Sequence, residues 1–284
     1  IKVILYFFLM IVWLASYPKS GNTWIRSILS TLIFSDNENC NFDHLNKVPR
    51  YPDRSHCEGL EDDLSDINKI KKIWLISQSK LNLDNSIKIL KTHHVNCKIG
   101  KYEFTNSENT LGVIHIVRDP RNIITSIKNH YVLKSYEDAL KFIMDEKKMI
   151  GTGRKIPQII SSWKTNYISW KAVKKNYLII KYEDLIKNTE LEINKILNYL
   201  YKLNDFKINQ EQISKVIRSS SFKNFQKLEN ENKFSENTVN LETNEKIRFF
   251  NQGPHNDWNK LISKDIRLKI ETEFKYEMSE LGYL

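Results

Sequence analysis

The residues best suited to chemistry lie in one short stretch near the amino terminus. An apolar run is followed directly by Tyr17-Pro18-Lys19-Ser20-Gly21-Asn22-Thr23-Trp24, and an amphipathic run comes next. A strand, a tight turn and the amino terminus of a helix, in this order, form an anion-binding site. The backbone N–H groups of the turn and the positive end of the helix dipole point toward the same position. Lys19 adds a full positive charge. The stretch therefore predicts a site for a phosphate-like group.

This turn differs from the common nucleotide-triphosphate loop. The pattern G-x-x-x-x-G-K-[ST] is absent, and Lys19 precedes Gly21 instead of following it. The turn also lacks an obvious carboxylate neighbour for the magnesium ion that a metal-dependent phosphoryl transferase needs. We therefore expect an anion grip that differs from that of ordinary kinases.

Polar residues also lie at the carboxyl ends of three other predicted strands. They occupy positions 91–94, 118–120 and 181–184. The carboxyl ends of parallel strands meet at one edge of an α/β sheet, where ligands bind. Lys91 and Arg118 would then join Lys19 in a concentrated positive site, suited to a ligand with more than one phosphate or sulfate.

His93 is the candidate general base. It follows Lys91 by two residues, so both side chains should lie on one face if the strand geometry continues. Neighbouring lysine charges disfavour the imidazolium form and keep the imidazole neutral near pH 7. A surface histidine at a strand end explains the spacing equally well. His94 should point the opposite way, and His115, inside an apolar strand, should be a core histidine.

The alternation of apolar strands and amphipathic helices predicts an α/β fold with a central parallel sheet flanked by helices. Strands are predicted at 11–16, 86–92, 111–117 and 177–182, and helices at 23–34, 64–80, 120–130, 136–149, 157–175, 209–218 and 263–281, with a further helix capped by Asp184. The apolar residues 1–15 are short for a bilayer span, and we expect their end to be a core strand. Residues 229–245 are predicted to be a mobile loop.

Length, composition and charge limit the number of domains, the kind of ligand and the cellular compartment. The chain has 284 residues with 40% hydrophobic content, which allows one large α/β domain or two small ones, and its few glycines and prolines argue against long linkers. We expect a single domain over residues 1–284. The net charge of +10 favours an anionic ligand, an acidic surface or nucleic acid. The basic residues are scattered, which weakens the case for nucleic acid. Three irregularly spaced cysteines fit neither a disulfide framework nor a zinc site, and they favour a reducing, cytoplasmic compartment.

At these motifs the sequence resembles the cytosolic-type sulfotransferase family, whose donor is 3′-phosphoadenosine 5′-phosphosulfate (PAPS). The likeness runs from Ile11 to about Lys260 and implies a P-loop-like three-layer fold. YPKSGNTW resembles the family's 5′-phosphosulfate loop, which typically reads YPKSGTTW, so Asn22 is its main departure. ILKTHH resembles the segment that carries the catalytic histidine, which maps onto His93.

The resemblance also implies the rest of the donor site. IVRDPRNIITS resembles the 3′-phosphate motif, and KYEDL resembles the adenosine-side segment. SSSF places an aromatic ring at the adenine, opposite Trp24. The implied donor-binding residues are Lys19, Ser20, Gly21, Asn22, Thr23, Trp24, Arg118, Ser126, Tyr182, Phe222 and Gly253, and the implied catalytic residues are His93, Lys19 and Lys91.

One motif departs from the family. The family pattern resembles R-K-G-x-x-G-D-W, whereas this chain has Asn251-Gln252-Gly253-Pro254-His255-Asn256-Asp257-Trp258. Two amides replace the basic pair, so a 3′-phosphate would lose one or two charge-assisted bonds, each worth about 1.5 to 3 kcal/mol. Arg248 and Lys246 are candidates to compensate from nearby.

The resemblance implies sulfuryl transfer from PAPS to a hydroxyl or amine acceptor, with His93 taking the acceptor proton and with no metal. The acceptor loops are polar and lysine-bearing, which favours a sugar, glycan or glycolipid headgroup over a flat phenol. We expect no nucleic-acid partner and no stable membrane span, and a homodimer stays open.

Three alternatives remain. A P-loop small-molecule kinase would need a triphosphate donor and magnesium. A non-enzymatic module that binds nucleotide or nucleic acid would bind with steep salt dependence. A catalytically inactive nucleotide-binding relative is favoured by Asn251 and Gln252.

Overall fold

A four-stranded parallel sheet forms the centre of the computed structural model, which describes residues 10–36, 38–84, 86–151, 156–203, 208, 210–234, 236, 238–240 and 243–284. The strands are β1 (Ile11–Ser16), β2 (Lys88–Thr92), β3 (Thr110–Val117) and β4 (Tyr177–Lys181). Their order across the sheet is β2-β1-β3-β4, and all three pairings are parallel. The four carboxyl ends therefore lie at one edge, as the sequence predicted.

Helices cover both faces of this sheet. They are α1 (Asn22–Phe34), α2 (Arg54–Cys57), α3 (Ile67–Leu81), α4 (Pro120–His130), α5 (Tyr136–Met144), α6 (Trp163–Lys171), α7 (Tyr182–Lys187), α8 (Thr189–Leu203), α9 (Gln210–Ser219), α10 (Phe222–Asn230), α11 (Trp258–Leu261), α12 (Lys264–Glu273) and α13 (Lys275–Glu280). Within the described part of the chain, no helix has both the length and the apolar character that crossing a bilayer requires.

The strict alternation of side chains along β1 explains the layered core. Val12 and Leu14 pack with residues of α1, α8 and α9 on one face of the sheet. Trp13 packs on the other face with residues of α3 and with Trp170 of α6. Both faces of β1 are fully buried, which is why its sequence is apolar at every position but the last. The predicted α/β class is confirmed.

The short elements account for most differences from the predicted boundaries. Three two-stranded pairs join Lys98–Ile99 to Tyr102–Glu103, Met149–Ile150 to Gln158–Ile159, and Thr238–Val239 to Lys246–Ile247. The second pair includes residues that the sequence predicts to be helical, so the predicted helix 136–149 ends at Met144 and the predicted helix 157–175 begins only at Trp163. Ser162 caps this second helix, α6, by accepting from the N–H of Thr165.

Two further predictions differ in part from the structure. The predicted helix 263–281 is two helices, α12 and α13. The predicted loop 229–245 begins inside α10 and contains the strand Thr238–Val239. Residues 1–9, residue 209 and several residues of the predicted loop lie outside the described residues.

Candidate functional site

The turn after β1 has a backbone that only certain residues tolerate. The φ angle is +69° at Lys19 and +95° at Gly21. Such left-handed conformations cost an L-residue about 1 to 2 kcal/mol and glycine almost nothing. A Cβ on Gly21 would also lie 2.5 Å from Cδ2 of Tyr182. Glycine is therefore needed at position 21, both for the turn and for the ring packed against it.

Arg118 closes this turn from the neighbouring strand β3. Its Nη1 donates to the carbonyl oxygen of Lys19 at 2.8 Å, and its guanidinium carbon lies 4.1 Å from the centroid of the Tyr182 ring. The side chain is buried, and its Nε has no hydrogen-bond partner among the described residues. A buried charged donor without a partner is costly. This arrangement suits a bound anion, and it puts the two predicted cations beside one turn.

The Lys19 ammonium lies over an aromatic ring that the sequence did not single out. Its Nζ is 3.7 Å from the centroid of Phe249. Burial, and secondly the charge of Arg118, lower the pKa of Lys19 to about 7. A phosphate beside this amine would offset both effects and favour its protonated form.

His93 is oriented by the end of β1. Its Nδ1 lies 2.8 Å from the carbonyl oxygen of Ser16 and 3.2 Å from the Ser16 hydroxyl. A carbonyl only accepts, so this contact assigns the proton to Nδ1 and leaves Nε2 with a lone pair. Burial, followed by the charge of Lys91, holds the pKa of His93 well below its usual value. The imidazole is therefore neutral at pH 7, as the charge pattern predicted.

Asn22, the departure from the family's loop, supports this histidine indirectly. Its Nδ2 donates to the carbonyl oxygen of Leu14 at 3.0 Å and to the Ser16 hydroxyl at 3.1 Å. The same hydroxyl contacts His93. Asn22 thus links the start of α1 to the strand end that orients the imidazole.

The other two histidines of the strand region belong to the core, which confirms their predicted positions. His94 is buried and stacks on Phe104 with ring centroids 4.2 Å apart, and its Nδ1 lies 2.7 Å from the carbonyl oxygen of Val95. His115 is buried with its Nδ1 2.7 Å from the hydroxyl of Tyr177. Neither lines the cavity described below.

Lys91 lies in a group of charges that sequence reasoning missed. Glu236 accepts from Nη1 of Arg26 at 2.7 Å and lies 3.6 Å from Nε of Arg50. Burial opposes ionisation of Glu236, but Arg26, Lys91 and Arg50 outweigh it and lower its pKa to about 2. Glu236 therefore carries a full negative charge among these cations.

Two predicted adenine-side aromatics have well-defined neighbours. Trp24 donates its Nε1–H to the hydroxyl of Ser220 at 3.2 Å. The ring of Phe222 packs so closely on Gly253 that a Cβ there would lie 2.2 Å from Cε2 of the ring. The predicted Gly253 thus allows the carboxyl-terminal segment to approach Phe222.

The carboxyl-terminal segment 249–256 is fixed at both ends. The N–H groups of Phe249 and Phe250 donate to the Glu229 carboxylate of α10 at 2.6 and 3.0 Å. At the other end, the Asn256 side chain accepts from the Thr125 hydroxyl at 2.7 Å and donates to a backbone carbonyl of α4. The segment therefore bridges α10 and α4, the helix that carries the predicted Ser126.

Neither Arg248 nor Lys246 lies where it could replace the basic pair that this chain lacks at positions 251 and 252. Asn251 and Gln252 line the cavity at the positions where the family pattern has cations. Lys246 donates to Asn232 at 2.8 Å on the surface, and Arg248 is exposed. Neither lines the cavity.

One cavity of about 420 Å³ brings the predicted site together. Of the predicted residues, its lining includes Lys19, Gly21, Asn22, Thr23, Trp24, Lys91, His93, Arg118, Ser126, Tyr182, Phe222 and Gly253. Ser20 is the exception; it is buried, and its hydroxyl has no hydrogen-bond partner among the described residues. The lining residues that the sequence did not indicate include Arg50, Thr125, Asn129, His130, Glu236 and Phe249. The individual roles of all these residues stay predictions.

Comparison with known proteins identifies the family. Residues 11–282 match the sulfotransferase domain family. Sulfotransferase 1B1 of Canis lupus familiaris is 25% identical over 270 residues, which cover 94% of this chain and 82% of that protein. Sulfotransferase 1E1 of Rattus norvegicus is 26% identical over 273 residues, which cover 93% and 82%.

Solved structures support the same fold. Mouse sulfotransferase SULT7A1 complexed with PAP matches with a TM-score of 0.57 and 18% identity, over 94% of this chain and 84% of that one. Retinol dehydratase, in complex with androsterone and inactive cofactor PAP, matches with a TM-score of 0.59 and 17% identity, over 94% and 80%. These likenesses confirm the predicted P-loop-like α/β fold. Because the family match spans nearly the whole chain, the protein belongs to the sulfotransferase family.

Proposed function

We propose that this protein transfers a sulfuryl group from PAPS to a hydroxyl or amine acceptor, with His93 as the general base. The observation behind the proposal is that the Lys19 turn, Arg118 and the unprotonated Nε2 of His93 belong to one cavity. Membership of the family, and the PAP in the related structures, support this choice of donor.

Two ends of the donor would be held by separate groups. Lys19 and the first N–H groups of α1, which have no partner within the helix, suit the 5′-phosphosulfate. Arg118 and Ser126 would bind the 3′-phosphate, and Trp24 and Phe222 would stack on the adenine. The 3′-phosphate is remote from the reacting sulfur, so its binding energy can orient the donor for reaction.

In the reaction, Nε2 of His93 takes the proton of the acceptor hydroxyl or amine. The acceptor atom bonds to sulfur while the bond from sulfur to the 5′-phosphate oxygen breaks. The products are the sulfated acceptor and adenosine 3′,5′-bisphosphate (PAP). Lys19 stabilises the charge that grows on the departing oxygen, and Lys91 holds the transferring group. The low pKa of His93 keeps it neutral before the step, and it returns its proton to solvent afterwards.

The test compares a His93→Ala variant with an exposed control, His255→Ala. We expect His93→Ala to bind PAP within about threefold of the unaltered protein by calorimetry, and to lose at least about 100-fold in PAP production with a panel of hydroxyl and amine acceptors. The control should change neither. Unchanged turnover in His93→Ala would remove its catalytic role, and absence of PAP binding by the unaltered protein would refute the donor.

A second candidate is an inactive nucleotide-binding relative. It is favoured by the amides of Asn251 and Gln252, which line the cavity where the family pattern has a basic pair. It predicts PAP binding without turnover for every acceptor. Binding of ATP only with magnesium would instead favour a kinase.

A further inference from the structure

We propose that the acceptor carries an anionic group such as a carboxylate, sulfate or phosphate, and that Arg50 and Arg54 select it. The inference rests on the proposed function, because it concerns the acceptor end of the same cavity. It narrows the acceptor from any hydroxyl or amine to a hydroxyl compound with an acidic substituent.

The first observation is that Arg50 lies beside the predicted catalytic segment. The N–H of Lys91 donates to the carbonyl oxygen of Pro49 at 2.9 Å, and the N–H of Tyr51 donates to that of Lys91 at 2.8 Å. Residues 49–51 thus run parallel to β2, with Arg50 paired to Lys91. Paired residues on neighbouring strands project from the same face. Arg50 and Lys91 both line the cavity, and Lys91 lies two residues before His93 in the sequence.

The second observation is the balance of charge along the cavity. Its described lining contains five lysine and arginine side chains and two carboxylates: Lys19, Arg50, Arg54, Lys91 and Arg118 against Asp53 and Glu236. The proposed donor would neutralise Lys19, Arg118 and Lys91, which leaves Arg50 and Arg54 as the cations of the acceptor end. Of the two carboxylates, Glu236 already holds the buried Arg26, which lies outside this lining. The acceptor end is therefore left with more positive than negative charge.

The third observation is that the two arginines present open donors. Arg50 contacts Glu236 through Nε at 3.6 Å, and its two Nη groups make no hydrogen bond with the rest of the described chain. Its side chain is 35% exposed. Arg54 is exposed at the start of α2, where the neighbouring Asp53 accepts from the N–H and hydroxyl of Ser55. A guanidinium fork matches the two oxygens of an acidic group.

These observations disfavour other acceptors. A cationic amine at this end would meet like charges, which disfavour its charged form. A neutral acceptor would gain weaker hydrogen bonds from the arginine forks and would not offset their charge. An acidic group on the acceptor would neutralise the surplus charge and leave its hydroxyl free to approach His93.

The experiment uses three matched pairs of acceptors: 4-hydroxybenzoate, 6-hydroxyhexanoate and glucuronate, each against its methyl ester. Sulfation is measured as kcat/KM with PAPS, and binding of each compound is measured separately by calorimetry in the presence of PAP. We expect at least one acid to exceed its ester by about tenfold or more in both measurements, which is the size of one charge-assisted hydrogen bond. Arg50→Gln and Arg54→Gln should each reduce that preference, and Arg50→Lys should retain part of it.

Arg218→Gln is the matched control, because Arg218 is exposed on α9 and does not line the cavity. It should leave the preference unchanged. The proposal is overturned if no acid binds or reacts better than its ester, or if the preference survives in both glutamine variants. PAP affinity of the unaltered protein separates the donor hypothesis from the acceptor hypothesis. PAP binding without a preference for the acids rejects only the anionic acceptor. Absence of PAP binding rejects the donor, and the comparison of acid and ester binding still tests Arg50 and Arg54.

Discussion

Substitution of Gly21 by alanine tests the geometry of the Lys19 turn directly. The new Cβ would lie 2.5 Å from Cδ2 of Tyr182, so the ring or the turn must move by about 1 Å to reach ordinary contact. The φ angle of +95° adds about 1 to 2 kcal/mol for an L-residue, and overpacking adds about 1 to 3 kcal/mol. We therefore expect Gly21→Ala to lower the free energy of unfolding by about 2 to 5 kcal/mol.

Gly100→Ala is the control that isolates the free-energy cost of the positive φ angle from the cost of overpacking. Its φ angle is +62°, and a Cβ there would meet no atom within 4 Å. Gly100→Ala should therefore cost only about 1 to 2 kcal/mol in urea unfolding. It should also leave PAP binding unchanged, whereas Gly21→Ala should weaken PAP binding at least about tenfold by calorimetry. Equal losses of stability in the two variants, with PAP binding intact, would show that the contact with Tyr182 does not shape the turn.

Four more predictions concern the charges of the cavity. Glu236→Gln should lower the free energy of unfolding by about 3 to 5 kcal/mol, because it removes the negative charge that pairs with the buried guanidinium of Arg26. The exposed Glu38→Gln should cost less than about 0.5 kcal/mol, and equal effects of the two variants in urea unfolding would contradict this. PAP affinity should fall as pH rises above about 7, where the folded protein loses the Lys19 proton, and Lys19→Met should abolish that slope in calorimetry. The free energy of unfolding should rise with pH between about 7 and 10.5, because the unfolded chain then binds the proton that the folded chain has released. Asn251→Arg combined with Gln252→Lys should tighten PAP binding about tenfold for each bond gained, and an unchanged affinity would show that these positions do not face the 3′-phosphate.

The fold could be predicted because its signals are local. A short apolar run followed by a turn, such as β1, indicates a strand covered on both faces, and parallel strands place their carboxyl ends at one edge. Lys19, His93 and Arg118 each lie just after the carboxyl end of a predicted strand, so the fold class predicted that they would meet. Helix ends were less predictable, because the tertiary pairing of Met149–Ile150 with Gln158–Ile159 interrupts a helical pattern that the sequence continues.

The rest of the cavity depends on contacts between distant segments. Arg50 reaches the site only because residues 49–51 pair with Lys91 of β2, and no local pattern signals that pairing. Glu236 comes from a polar stretch without periodicity, and its position depends on Arg26. Phe249 is placed by the Glu229 carboxylate twenty residues earlier. Such long-range contacts leave no spacing that a reader of one sequence could recognise.

The aromatic ring of Phe249 stabilises the Lys19 ammonium in the absence of a ligand. A cation over an aromatic face is stabilised by about 0.5 to 2 kcal/mol, and Nζ of Lys19 lies 3.7 Å from the centroid of Phe249. If the proposed function holds, a nucleotide phosphate that draws the Lys19 ammonium off this ring would lose that contact, and the contact would form again when the product leaves. Phe249 would then favour product release without contacting the atoms that react.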